Sequence, residues 1–213
     1  MNIKKTALVF GVLSLLAKDK LNTQEMNYFS LENKIKTEIL KDYLVKGEES
    51  NPKIKEFVEN AKKYIGKEYA WGGRLTKTNP GLDCLGLLFV AHSKTFGTHW
   101  YDFSVYPSKI IEKGQLGKPV KGLDGILTEN VDASKLEEGD IIYLLCKGSI
   151  QDKPLAIING ENYWPWHTGI YSNKKNNLFL EASPSYLKVI ETPFSEILDE
   201  NSPTRAIFVT RMH

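Results

Sequence analysis

The sequence predicts an α+β fold, and three observations carry the prediction. Helical periodicity is confined to the first half of the chain, short alternating strand-like runs fill the second half, and no internal repeat or low-complexity tract breaks that order. At 213 residues, with 41% hydrophobic and 25% charged side chains, the chain can bury one good core. Its formal charge of +2, without a basic stripe carrying interleaved aromatics, gives no footing for nucleic acid as a partner.

The elements follow in order. Met1-Asn2-Ile3-Lys4-Lys5 is a short basic start, and Thr6 to Ala17 is an apolar run shorter than the ~20 residues a bilayer span needs. That is the shape of a secretory signal peptide. Residues 1–17 are therefore expected to be a removable leader, with export to a periplasmic or extracellular location and no stable membrane insertion afterwards. A buried N-terminal helix is the other way to read the run. No cysteine follows it directly, which rules out a lipid anchor on cysteine. Residues 18–50 are polar with a stripe of Leu31, Ile35, Ile39 and Tyr43, which reads as a helical extension.

Residues 51–213 form the main domain. Asn51-Pro52 opens a helix with apolar positions Ile54, Phe57, Val58, Ala61, Tyr64 and Ile65, stopped by Gly66. The Gly-rich segment Tyr69-Ala70-Trp71-Gly72-Gly73 leads on to Asp83, and the apolar run Leu85, Leu87, Leu88, Phe89, Val90 follows before Gly97. Cys84 is thereby expected on the first turn of a helix. Residues 98–135 show turn residues and little period and read as an insertion, with a short helix near Ser108 to Lys113. Glu137-Glu138-Gly139-Asp140 turns into a strand, Ile141 to Cys146; a second polar insertion covers 147–162. The strands expected after it are Trp166 to Ser172, Leu178 to Ser183, Leu187 to Thr192 and Arg205 to Thr210.

The chemistry centres on Cys84. Unpaired N–H groups and the partial positive charge of a helix N-terminus favour a thiolate, the nucleophilic form. Four histidines are available as its base. His92 lies two turns along the same helix, out of reach of the sulfur; His213 is the last residue; His99 sits in the insertion. His167, in the run Trp166-His167-Thr168-Gly169-Ile170-Tyr171, is the best base. A hairpin centred on Lys174 would set His167 directly opposite Glu181, and facing residues bring their Cβ atoms within roughly 4.5–5.5 Å. Leu178, Leu180 and Ala182 would then share one face, and Phe179, Glu181 and Ser183 the other. Cys146 ends an apolar strand and reads as a small buried hydrophobe, although an exported protein could pair it with Cys84. The histidines and Cys146 lack metal-ligand spacing, so neither a metal nor a cofactor is expected. Oligomeric state leaves no trace in the sequence.

These segments together resemble a family. Tyr69 to Gly73, Asp83-Cys84-x-Gly86, Leu136 to Asp140 before a strand, His167 to Tyr171, and Phe179-Leu180-Glu181-Ala182-Ser183 are similar to the ordered motifs of the NlpC-type cell-wall cysteine peptidases. The resemblance runs from about Asn51 to the C-terminus. It implies a papain-like fold with the catalytic cysteine at a helix N-terminus packed on an antiparallel sheet. It also implies hydrolysis of peptidoglycan stem peptides, often after D-γ-glutamate before a diamino acid. By motif match Cys84 is the nucleophile, His167 the base and Glu181 the third residue. Tyr69, Asp83 and Trp71 are the candidates on the substrate side, although Tyr69 reads equally as core and Trp71 as wall or core. Leu85 stands where the family usually has serine, and Glu181 where it often has a histidine or an amide. Those two departures are the sequence support for a different reading, a catalytically inactive module that binds wall peptide or protein. An amidase or acyltransferase on the same scaffold is the further alternative.

Overall fold

A computed structural model describes residues 51–148 and 152–213; the expected leader and the helical extension at 18–50 lie outside the described residues. The first helix, α1 (Pro52–Lys62), starts where the sequence placed it. Asn51 caps it by accepting from the Lys53 N–H, and proline occupies the first turn, where its missing N–H costs nothing. It ends three residues earlier than expected, and Ile65 is half exposed rather than part of the buried stripe. Phe57, Val58 and Ala61 are fully buried.

Helix α2 (Cys84–Phe96) is capped by Asp83 and closed by Gly97 in the left-handed conformation, φ 70°. A short helix, α3 (Pro107–Glu112), falls where the sequence predicts one. Seven strands follow: β1 (Lys118–Leu127), β2 (Ile141–Cys146), β3 (Ala156–Ile158), β4 (Glu161–Asn173), β5 (Leu178–Ser183), β6 (Lys188–Pro193) and β7 (Ala206–Arg211), with a single helical turn α4 (Phe194–Ile197) after β6. The sheet order is β1-β7-β2-β4-β5-β6, every pairing is antiparallel, and β3 adds to β4.

Apolar side chains cover both faces of the sheet. Ile141, Tyr143 and Leu145 of β2 pack with α1 and α2, while Ile142 and Leu144 join Tyr171, Phe179 and Phe194 on the other side. A strand buried on both faces needs no polar alternation, which accounts for the unbroken run Ile141 to Leu145. The turn before β2 is held by Asp140, fully buried, whose carboxylate takes Arg211 Nε and Nη2 at 2.6 and 2.7 Å. Gly139 beside it has φ 93°, and a Cβ there would stand 2.1 Å from Ile54 Cγ2, so α1 closes onto this turn only over glycine.

Both expected insertions prove to contain strands. Residues 118–127 form β1, concealed in the sequence because Gly122 and Gly125 take positive φ and the pairing with β7 shifts register on either side of Asp124. Within 147–162, β3 pairs back on an extended start of β4, which is thirteen residues long rather than the seven from Trp166 to Ser172. The strand over Leu178 to Ser183 has the expected bounds, and β6 and β7 lie within one residue of theirs.

Candidate active site

The segment 69–86 is built around three glycines and one carboxylate. A Cβ on Gly86 would lie 2.0 Å from the Gly73 carbonyl oxygen, and one on Gly73 would lie 2.5 Å from that of Gly81. The first turn of α2 therefore rests directly on the backbone of the Gly-rich turn. Asp83 joins the two: Oδ1 accepts from the Gly86 N–H at 2.6 Å and from Arg74 Nη1 at 2.5 Å, and Oδ2 accepts from the Gly72 N–H at 2.9 Å. Arg74 and Asp83 are both nearly buried, and the guanidinium also lies 5.1 Å from the Phe89 ring centroid. Cys84 is the first residue of α2 and is half-buried.

The histidine comes from the sheet. His167 Nε2 lies 2.5 Å from Glu181 Oε2, with both side chains buried. The hairpin reaches this contact by a different register from the one expected. Ile170 pairs with Leu180 and Tyr171 with Phe179, with an irregularity between Tyr171 and Asn173, so the strands run His167 toward Ser183 and not Glu181. The contact is thus diagonal rather than direct. A displacement of two residues preserves the face of every side chain, and diagonal neighbours remain within reach of long side chains.

Burial by itself would lower the imidazole's proton affinity. The nearby Cys84 sulfur and the bonded Glu181 carboxylate both favour the charged ring; together they outweigh burial and push the His167 pKa up to about 10. With Nε2 engaged by Glu181, Nδ1 is the nitrogen left to face the sulfur. Tyr69 is pushed up to about 12, by burial first and then by the charges of Cys84 and Asp83, so its hydroxyl keeps its proton; its ring packs against the core and does not border the cleft that holds the sulfur.

Cys84 and His167 open onto one cleft of about 370 Å³, which Trp71 and Asp83 also border. Trp71 is 80% exposed at its mouth. Glu181 lies behind the imidazole on a separate hollow of about 220 Å³, out of the main cleft. Leu85 packs into the core while bordering the cleft. Both cysteines are free; Cys146 is half-buried at the end of β2, less enclosed than expected, and burial raises its thiol pKa. His92 makes no approach to the sulfur: its Nδ1 meets Thr98 Oγ1 at 2.9 Å among Phe57, Phe96 and Phe103. No cluster of three metal-ligating side chains occurs among the described residues.

Sequence reasoning missed Arg74. The available signal is an arginine directly after the Gly-Gly pair and nine residues before an acidic helix cap. It also left the far wall undescribed, where Tyr106 and Pro107 at the start of α3 face the cleft. Asp152 holds that wall by accepting from the Ser108 N–H at 3.0 Å and from the Ser108 hydroxyl, while its backbone carbonyl takes the Trp164 indole N–H at 3.1 Å.

No family model matches the sequence, and no curated protein matches it. Solved structures do. The chain is similar to an N-acetylmuramoyl-L-alanine amidase from Bacteroides uniformis, at 16% identity and a TM-score of 0.56, covering 76% of this chain and 100% of that one. It is also similar to the peptidoglycan hydrolase RipB from Mycobacterium tuberculosis, at 20% identity over 75% of this chain and 64% of that one, with a TM-score of 0.45. The NlpC/p60 domain of the peptidoglycan hydrolase SagA matches at 20% identity, over 74% of this chain and 97% of that one, with a TM-score of 0.39. At these identities the likeness is one of fold, shared with the Bacteroides uniformis structure, and the α+β class expected from the sequence is the class observed.

Proposed function

We propose that the protein is an exported cysteine hydrolase that cuts peptide bonds in peptidoglycan stem peptides, with Cys84 as nucleophile, His167 as base and Glu181 as the residue that orients the imidazole. One observation carries the reading: a buried imidazole bonded to a carboxylate shares a cleft with the cysteine that begins α2. Residues 51–213 are the catalytic domain in this reading, and residues 1–17 are its leader.

The chemistry follows from the positions. The Cys84 thiolate attacks the carbonyl carbon, and the carbonyl electron pair moves onto oxygen. The backbone N–H of Cys84 is a donor for that oxyanion. Collapse expels the amine, which takes its proton from the His167 imidazolium, leaving a thioester on Cys84. Water, deprotonated by His167, then releases the acyl group as a carboxylate and returns the thiol. Glu181 holds the ring's tautomer and stabilises its charged form without itself taking the proton. Asp83, with its oxygens occupied by protein donors, positions the sulfur, and Trp71 stands on the substrate side.

The bond implied by the sequence motifs joins D-γ-glutamate to the diamino acid. A second reading, cleavage of the amide that joins N-acetylmuramic acid to L-alanine, is favoured by the fold likeness to the amidase over that protein's whole length. Incubation with a defined N-acetylmuramoyl tripeptide and mass spectrometry of the fragments separates the two. A folded protein that leaves the compound intact, with a Cys84 thiol inert to alkylating probes at neutral pH, would instead mark a binding module.

A further inference from the structure

We infer that the cleft carries a stacking surface for a sugar ring, so that the substrate engaged at Cys84 is a stem peptide still joined to its glycan. The inference rests on the hydrolase reading above and adds the part of the substrate that the sequence motifs do not address.

The first ground is the charge in the cleft. A stem peptide freed of its glycan differs in charge by one free α-ammonium, and a site selecting that form would present an unengaged carboxylate to hold it. Among the described residues bordering this cleft, the ionic groups are already committed: Arg74 to Asp83, Asp152 to the start of α3, and His167 to Glu181.

The second ground is what the cleft exposes instead. Trp71 is 80% exposed, Tyr106 49% and Trp166 38%, and all three border the same hollow as the sulfur. Their neighbour Trp164 is different, with its indole N–H turned inward to the Asp152 carbonyl. An exposed indole or phenol offers a broad apolar face with a polar tip. A pyranose has the complementary form, one face of C–H groups rimmed by hydroxyl and acetamido groups. An enclosed apolar pocket would suit a peptide side chain, whereas exposed aromatic rings around an open cleft suit a sugar ring laid against one of them.

The third ground is continuity with the reacting groups. The Trp166 ring stacks on the His167 imidazole, with centroids 5.3 Å apart and planes 30° from parallel. A ligand on this wall is therefore held beside the scissile amide, and part of its binding energy can be used to orient that amide.

The test is binding to the Cys84→Ala protein by calorimetry, which separates recognition from turnover. N-acetylmuramoyl-L-alanyl-D-isoglutamine is expected to bind at least about tenfold more tightly than L-alanyl-D-isoglutamine, the scale of one aromatic stacking contact or more. Adding Trp71→Ala should remove most of that difference, and Trp71→Phe, which keeps a ring, should retain most of it. Equal affinities for the two probes, binding of neither, or preference for the bare peptide would overturn the inference. A sluggish Cys84 thiol in the unmodified protein would sink the nucleophile reading alone, because this binding difference does not depend on the sulfur.

Discussion

His92 and His167 both lie against aromatic rings, and their proton affinities move in opposite directions. Around His92 the neighbours are Phe57, Phe96 and Phe103, its one hydrogen-bond partner among the described residues is the Thr98 hydroxyl, and burial lowers its pKa to about 4. Around His167 burial acts in the same sense, but Cys84 and Glu181 reverse the outcome. A hydroxyl cannot stabilise an imidazolium as an anion can. The difference teaches that the depth of a histidine in this domain does not decide its chemistry; the anion beside it does. Neutral His92 is a packing residue, and charged His167 is fit to hold a proton for a leaving group.

The largest effect expected is on the sulfur that completes the His167 arrangement. Cys84→Ala should abolish hydrolysis while the thermal melt stays close to that of the parent, since alanine is tolerated at a helix start; comparable turnover in the folded variant would remove the cysteine mechanism. Next comes Glu181→Leu, which gives His167 the surroundings of His92, buried without a carboxylate. Turnover should fall by about 10²-fold or more with KM nearly unchanged, because the loss is in proton transfer rather than in binding. Glu181→Gln, which keeps an acceptor but no charge, should fall less. Unchanged turnover in both would mean that His167 is oriented by something else.

The pH profile sharpens the contrast. A histidine whose folded pKa is raised contributes stability in full below its unfolded value of about 6.5, and that contribution is lost as pH rises toward 10. Activity that requires the imidazolium should decline over the same alkaline range, and the limb should move to lower pH in Glu181→Gln. The apparent values belong to the coupled Cys84–His167–Glu181 set and not to one residue. For His92 the sign is opposite. Its depressed pKa means that the unfolded chain binds the proton more readily, so stability falls as pH drops from about 6.5 toward 4. His92→Phe should flatten that part of a urea-midpoint titration and leave turnover intact. Cys146→Ala should have the smallest effect, within about 1 kcal/mol of the parent's stability and without change in rate.

Much of this was legible in the chain. Asp83 as helix cap, Cys84 as first helical residue and Gly97 as terminator are local signals, and the structure follows them. The pairing of His167 with Glu181 was legible by parity but not by register, because strand faces repeat every second residue and tolerate an even slip that no single strand reveals. β1 was not legible, since Gly122 and Gly125 bend a strand whose partner lies at the far end of the chain. Arg74 was missed for a related reason: its partner is nine residues away across a loop whose path no periodicity encodes.

The stacked glycines carry a consequence for how such a protein can change over generations. Trp71 projects into solvent and can be exchanged freely as far as packing is concerned, so on the proposed reading substrate preference can drift there by single substitutions. Two residues on, at Gly73, and again at Gly86, the first added carbon meets backbone at 2.5 and 2.0 Å, and backbone cannot step aside as a side chain can. The loop thus divides within a few residues into an evolvable surface and a frozen seat. New specificities can be selected on the one without disturbing where the other holds the sulfur.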